Sequence, residues 1–230
     1  MTTSKTEKIF MVLTLFLALA FSTFTAKADV VRVGPGAFGA GSTLITFNGL
    51  ADGTEVNGLN FGGVVFSYSL GSGHVVIDGG PGITNNINPP NIVSTGNNTG
   101  ILTLILGGPA NTFGYGYAIL NSIAVANATT ITLFSGVTNV GTLSYNAVPD
   151  PVFSGGFAGI FSTLAFDRVQ LTFNSAVAPA FALDNIRIAT NAIPEPATMV
   201  LLGTGLAGVA ENMRRRRKGI KVRIPKTNTV

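Results

Sequence analysis

The sequence predicts an all-β fold, an antiparallel β-sandwich of jelly-roll-like form, flanked by one hydrophobic helix near each end of the chain. Three observations predict it. Segments rich in Val, Ile, Thr and Phe recur, Gly, Asn, Ser and Pro dominate the connections between them, and no amphipathic helical pattern occurs between Asp29 and Thr190. Many short strands at this spacing favour two packed antiparallel sheets. A β-solenoid is the alternative fold, although no fixed short repeat supports it.

The N-terminal element is predicted to be a signal helix. Two lysines precede an uncharged apolar stretch, Ile9–Phe21, and Ala26 and Ala28 stand at the small-residue spacing that signal peptidase recognises. This three-part pattern predicts a signal peptide over residues 1–28, export through the Sec translocon and cleavage by signal peptidase before Asp29.

Nine segments of the central region carry strand patterns. Apolar and polar side chains alternate in Val64–Leu70 and again in Asp167–Phe173, so both are predicted to be half-buried strands. The polar, proline-containing segment Gly79–Gly100 is predicted to be a surface loop. The nine predicted strands are Thr43–Phe47, Val64–Leu70, His74–Asp78, Ile101–Leu106, Tyr117–Val125, Thr130–Phe134, Gly141–Asn146, Asp167–Phe173 and Phe181–Ala189.

The last predicted strand changes the face on which its apolar residues lie. They occupy odd positions up to Leu183 and even positions from Ile186, which predicts a β-bulge at Asp184-Asn185. Carbonyl groups exposed by a bulge, together with a carboxylate, suit Ca²⁺. One hypothesis is therefore a structural Ca²⁺ bound by Asp184 with Asn48 or Asp52. The alternative is an aspartate bonded to neighbouring amides.

The C-terminal element combines three features in order. Pro194, Glu195 and Pro196 precede an uncharged apolar run over residues 197–210, and Arg214, Arg215, Arg216, Arg217 and Lys218 follow it. Basic residues favour the cytoplasmic side, so the run is predicted to be a transmembrane helix that leaves residues 29–190 outside the cytoplasm. A helix of this length spans about 21 Å, less than the roughly 30 Å hydrocarbon core. Such a short anchor suits temporary tethering.

This order of features resembles the PEP-CTERM sorting signal of exported bacterial proteins. The resemblance implies a signal peptide over 1–28, an exported domain over 29–190, a sorting signal over 191–218 and a basic tail over 219–230. It also implies that exosortase, a membrane peptidase, recognises the Pro-Glu-Pro triplet while the precursor sits in the inner membrane. Processing would then release the protein to the cell surface or the extracellular space.

Two parts of the exported domain resemble carbohydrate-binding jelly-roll domains. Residues 45–67 read ITFNGLADGTEVNGLNFGGVVFS, and Phe181–Ile188 reads FALDNIRI. Asn48 stands where such domains tend to have an acid. The resemblance implies an extracellular polysaccharide as a candidate partner.

Charge is distributed unevenly along the chain. The region from Asp29 to Ile193 holds seven acids and three bases, and therefore has a net charge of −4. Eight of the 14 basic residues lie at or after Arg214, so the basic pI does not indicate a nucleic-acid partner. The absence of cysteine excludes disulfides and thiolate catalysis.

No catalytic constellation is evident in the sequence. His74 is the only histidine, which leaves a His-based zinc site or a Ser-His-acid triad without support. The acids lie mostly in turn-like contexts, and Gly203–Gly208 matches G-x-G-x-x-G inside the apolar run rather than in a βαβ unit. We therefore predict a non-catalytic surface or extracellular-matrix protein that needs no cofactor. The alternative is a secreted carbohydrate-active hydrolase, which would require two positioned carboxylates.

Overall fold

The computed structural model of the chain describes residues 29–84, 86–96, 98–150 and 152–190. The predicted signal helix, sorting signal and basic tail lie outside the described residues. In the described part, every strand pair is antiparallel, which confirms the all-β prediction. The strands are β1 Val30–Arg32, β2 Thr43–Ile45, β3 Asn60–Phe61, β4 Val64–Tyr68, β5 Val75–Asp78, β6 Asn91–Ser94, β7 Leu102–Ile119, β8 Val125–Ser135, β9 Thr138–Asp150, β10 Phe153–Phe173 and β11 Phe181–Ala189.

The strands form two layers that share the long strands β7 and β10. The first sheet has the order β3-β4-β7-β10-β8-β9 and uses residues 102–106 of β7 and 168–173 of β10. The second sheet has the order β5-β6-β11-β7-β10-β1 and uses residues 112–119 of β7, with β2 also paired to β11. Register shifts on either side of Phe166 mark the bend at which β10 passes between the sheets.

The hydrophobic core lies between the two layers. Phe173 of the first sheet stacks on Phe181 of the second with ring centroids 3.8 Å apart, and Tyr115 approaches Phe173 edge-on at 6.4 Å. Buried tyrosines keep their hydroxyl groups hydrogen-bonded, as burial requires. Tyr117 donates to the Asn146 carbonyl at 2.8 Å, and Tyr145 donates to the Gly159 carbonyl at 2.6 Å. These contacts across the layers confirm the predicted sandwich.

Strand β7 differs from the prediction in its middle and at its end. It continues through residues 107–116, which lie between two predicted strands, and it ends within the second of them. Tyr115 and Tyr117 point into the core, and the glycines between and before them face outward. A Cβ atom at Gly116 would overlap the Asn86 carbonyl oxygen, so the alternation of tyrosine and glycine reflects a chain segment lying close on the outer face. The predicted strand Tyr117–Val125 is wrong for residues 120–124, because β7 ends at Ile119 and β8 begins at Val125.

The predicted surface loop Gly79–Gly100 contains β6, and Ile87 before this strand packs on the second sheet. Within it, Ile92 is fully buried in the main core, and Ile87 packs against Ala118 and Ala182 on the outer face. The loop prediction is therefore wrong for residues 91–94. Its polar composition misled the prediction because the strand is short and two of its four side chains are polar.

Strand β11 has the predicted bounds, Phe181–Ala189, and the predicted bulge. Its register pairs Asp184 with Gly116 but Arg187 with Gly114, so one extra residue lies on β11 between these pairs. Asn185 takes a φ of 52°, which asparagine tolerates better than most residues. Among the residues that the structure describes, no helix has both the length and the apolar character needed to cross a membrane.

Candidate functional site

The outer face of the first sheet carries a ladder of hydroxyl and amide side chains. Neighbouring positions on its strands, such as Leu102 and Leu104 on β7, are buried in the core, so the intervening side chains point outward. Their registers align them in rungs across β4, β7, β10, β8 and β9. We call this set the polar face: Ser67, Thr103, Thr130, Thr132, Thr142, Ser144, Gln170 and Thr172.

Side-chain hydrogen bonds link neighbouring members of the polar face. The Thr130 and Ser144 hydroxyl oxygens lie 2.8 Å apart, and Thr142 donates to Thr132 at 3.3 Å. Most of these residues are half-buried on central strands, so their positions are fixed by the sheet. A fixed array of donors and acceptors can bind a polyhydroxylated ligand through several hydrogen bonds at once.

An apolar and aromatic row borders the polar face. Val65 pairs with Ile105, Ile105 with Arg168, and Arg168 with Phe134. The Arg168 guanidinium carbon lies 4.4 Å from the Phe134 ring centroid, and the Ile105 side chain is 51% exposed. Exposed carbon next to fixed polar groups suits a sugar, which has C–H faces and hydroxyl edges.

Three acids of the described domain accept hydrogen bonds from backbone N–H groups. The sequence context predicts this turn role for Glu55 and Asp78, whereas Asp167 lies within β10. Glu55 accepts from the Gly73 N–H at 2.7 Å and the Asn57 N–H at 3.1 Å. Asp78 accepts from Gly79 at 2.5 Å, and both oxygens of Asp167 lie within 3.2 Å of the Gly136 nitrogen. His74 lies against the Tyr68 ring. Over residues 29–84, 86–96, 98–150 and 152–190, no three His, Cys, Asp or Glu side chains form a group able to hold a metal ion.

Asp184 lies at the bulge on the outer face of the second sheet and is completely buried. Its Oδ2 accepts from the Asn88 N–H at 3.0 Å, whereas Oδ1 has no hydrogen-bond partner among the described residues. Burial away from water raises the pKa of the Asp184 carboxyl, and the N–H groups of Asn185 and Asn88 lower it by less. Asn185 itself donates through Nδ2 to the Asn86 carbonyl at 2.7 Å.

The neighbour of Asp184 on β6 is a second buried polar side chain, Asn91. The register pairs Ile92 with Leu183, and its continuation sets Asn91 opposite Asp184 on the same face. Neither amide atom of Asn91 finds a partner in the described part of the chain, and the residue is fully buried.

The two residues that the sequence pairs with Asp184 make other contacts. Asn48 is exposed and donates to the Thr46 hydroxyl at 3.2 Å, and Asp52 lies exposed in a turn. The groups nearest Asp184 come instead from the segment that covers the sheet, Asn86 to Asn91. Sequence reasoning missed Asn88 and Asn91. Their only signal is the unusual density of asparagine in the run from Asn85 to Asn91.

The predicted processing residues lie almost entirely outside the described residues. Pro194, Glu195, Pro196, the basic cluster Arg214–Lys218, and Ala26 and Ala28 are among them. Asp29 is described and directly precedes β1. Its N–H donates to the Thr163 hydroxyl at 3.0 Å, and its carbonyl accepts from the Thr163 N–H at 3.1 Å.

Solved structures similar to this chain have low sequence identity to it. A variant of the family 29 carbohydrate-binding module CBM29-2 is 10% identical, with a TM-score of 0.36 over 66% of this chain and 98% of that one. The K2 cleaved adhesin domain of Lys-gingipain is 13% identical, with a TM-score of 0.43 over 66% and 100%. The catalytic domain of a GH87 α-1,3-glucanase is 8% identical, with a TM-score of 0.35 over 74% and 29%. Likeness at this level identifies no ligand.

Sequence comparison assigns only the C-terminal segment. No curated protein matches this chain in sequence. The family model described as the PEP-CTERM protein-sorting motif matches residues 192–218, the segment that holds the Pro-Glu-Pro triplet, the apolar run and the basic cluster. The chain is therefore a protein that carries a PEP-CTERM sorting motif at residues 192–218.

Proposed function

We propose that the chain is an exported bacterial protein of the cell surface or extracellular matrix, processed by exosortase at its C-terminal motif. The match to the PEP-CTERM protein-sorting motif carries the proposal. The precursor crosses the inner membrane through the Sec translocon, loses residues 1–28 to signal peptidase and stays attached by residues 197–210 until exosortase acts. The cations on the cytoplasmic flank of each apolar segment support this orientation.

The mature domain is non-catalytic in this proposal. Glu55, Asp78 and Asp167 are engaged by backbone N–H groups in turns, which supports structural roles for these carboxylates. Hydrolysis of a glycoside would require a pair of carboxylates about 5–10 Å apart around the bond. The polar face itself contains no acid.

The partner of the mature domain is an extracellular polysaccharide that lies across the polar face. Aligned hydroxyl and amide groups, with Ile105 and Phe134 at the border, support a neutral sugar chain as ligand. Each hydrogen bond contributes only about 0.5–1.5 kcal/mol net. Binding therefore depends on several residues of the polar face forming hydrogen bonds to the ligand at once.

A structural cation at Asp184 is the second part of the proposal. Asp184 Oδ1 and Asn91 Oδ1 are buried oxygen atoms without partners among the described residues, and Ca²⁺ takes carboxylate and amide oxygens as ligands. A bound cation would compensate for burying an ionised carboxylate. In this proposal the residue that binds the cation together with Asp184 is Asn91, in place of Asn48 or Asp52.

The sorting proposal is tested by two changes to the full-length precursor in a bacterium that contains exosortase. Glu195→Gln and deletion of residues 214–218 are each expected to leave uncleaved precursor in the membrane fraction, seen by immunoblot. Normal processing of both variants would refute the sorting proposal. A glycan-binding screen run beside a general glycosidase assay separates the matrix protein from the hydrolase.

A further inference from the structure

Both ends of the described domain leave from the same end of the second sheet. The registers pair Ala189 with Thr112, Thr112 with Phe161, and Phe161 with Val31. Continuing this register by one residue towards the two ends of the domain places Thr190 and Val30 in the same row across the sheet. Three inter-strand spacings separate them. At about 4.8 Å per spacing, roughly 14 Å separates the two points where the chain enters and leaves the domain.

The chain leaves the domain at the rim of a cleft of about 300 Å³. We call it the exit cleft, and its wall includes Gly62, Gly63, Gly107, Gly108, Pro109 and Thr190. Thr190 is tied to this wall because its hydroxyl donates to the Pro109 carbonyl at 3.1 Å. None of the described residues that line the cleft is charged.

Glycine is structurally required at two positions of the wall and not at a third. A Cβ at Gly107 would lie 2.8 Å from the Gly63 carbonyl oxygen, and Gly62 has a φ of +60° with a Cβ position 2.9 Å from Ile45. At Gly108, by contrast, nothing lies within 4 Å of the Cβ position and φ is not left-handed. The fold therefore tolerates a side chain at Gly108, and glycine there keeps the cleft open.

The sequence leaves little chain between the exit cleft and the sorting motif. Three residues, 191–193, separate Thr190 from Pro194. Fully extended, this connection reaches at most about 14 Å between the two Cα atoms. Any enzyme that takes the Pro-Glu-Pro triplet into its active site must therefore come close to the domain surface around Thr190.

From this geometry we infer that the exit cleft is the surface of the folded domain against which the sorting peptidase lies when it takes Pro194–Pro196. The inference rests on the proposed function and extends it, since the substrate of the peptidase becomes the motif together with the adjoining folded surface. An uncharged wall that includes five glycines permits close approach of a second protein, because the glycines add no side chain and no charge loses its hydration.

The test fills the cleft without disturbing the fold and then removes the need for close approach. Gly108→Trp is compared with Gly79→Trp, a matched control at an exposed glycine that also has nothing within 4 Å of its Cβ position. Both changes are made in the full-length precursor, alone and with about 15 Gly/Ser residues inserted after Asn191, a flexible linker spanning roughly 20 Å on average. Pulse–chase labelling measures the processing rate, and circular dichroism of each purified protein checks folding.

Gly108→Trp is expected to slow processing about tenfold, equivalent to losing about 1.4 kcal/mol of productive binding. Gly79→Trp should process at the wild-type rate, and the inserted linker should restore the rate of Gly108→Trp. Wild-type processing of Gly108→Trp would overturn the inference, as would a folded Gly108→Trp protein that stays slow with the linker. Glu195→Gln is included in each background, since its normal processing would contradict the proposed function instead.

Discussion

Asp184 on β11 lies opposite Asn91 on β6, and both side chains are fully buried on the outer face of the second sheet. One carboxylate oxygen and both amide atoms have no hydrogen-bond partner among the described residues. Buried polar atoms are nearly always satisfied, so this pair marks a position at which a cation or a change of protonation would stabilise the domain.

Removal of Ca²⁺ is predicted to lower the melting temperature of the processed protein. A ligand at 100 times its dissociation constant adds about 2.7 kcal/mol to the free energy of unfolding. Asp184→Ala and Asn91→Ala should each abolish the difference between Ca²⁺ and chelator in differential scanning calorimetry. Asp52→Asn, which changes an exposed acid, should keep it. An unchanged wild-type melting temperature on chelation would eliminate the cation.

Without a bound cation, Asp184 is predicted to make stability depend on pH. Burial keeps the pKa of this carboxyl above its ordinary value of 3.8 in the folded domain, so the unfolded chain loses its proton first as the pH rises. The contribution to stability is therefore complete below pH 3.8 and is lost as the pH rises through the folded-state pKa.

Urea unfolding in EDTA from about pH 3.5 to about pH 7 measures this dependence around the ordinary carboxyl range. Asp184→Asn cannot titrate, so its free energy of unfolding should fall less over this range than that of the wild type. Equal pH dependence in the two proteins would show that Asp184 keeps an ordinary pKa.

Gly116→Ala is predicted to destabilise the domain by about 1–3 kcal/mol, the usual cost of overpacking. The new methyl group would overlap the Asn86 carbonyl and push the covering segment from the sheet. Gly108→Ala is the matched control on the same strand, because its Cβ position is open. Equal midpoints in guanidinium unfolding would contradict the close packing of Asn86 on Gly116 of β7.

Gln170→Ala is predicted to weaken binding to the polysaccharide of the producing bacterium by about two- to tenfold, the effect of losing one hydrogen bond. Gln170 lies on the central strand of the polar face, between Thr103 and Thr132. Thr43→Ala, an exposed change on β2, is the control. Affinity electrophoresis compares the variants, and an unaltered affinity of Gln170→Ala would remove the polar face from recognition.

The sequence predicts those parts of the fold that depend on local alternation. Strand β11 and its bulge follow from the change of parity around Asp184, and the turn roles of Glu55 and Asp78 follow from their neighbours. The middle of β7 does not, because its glycines are explained by the segment around Asn86, which is distant in sequence and lies close on the outer face. Strand β6 does not either, because it is short and two of its four side chains are polar. Asn91 was missed since only tertiary packing buries it.

The location of residues 29–190 tests the central claim of export most directly. The chain has no cysteine, so single cysteines report topology without background. Val137→Cys lies on the β8–β9 turn with a 91% exposed side chain, and Val222→Cys lies in the basic tail. With a membrane-impermeant maleimide, Val137→Cys should label equally in intact and lysed spheroplasts, whereas Val222→Cys in the Glu195→Gln precursor should label only after lysis. Labelling of Val137→Cys only after lysis would place the domain in the cytoplasm and contradict the account.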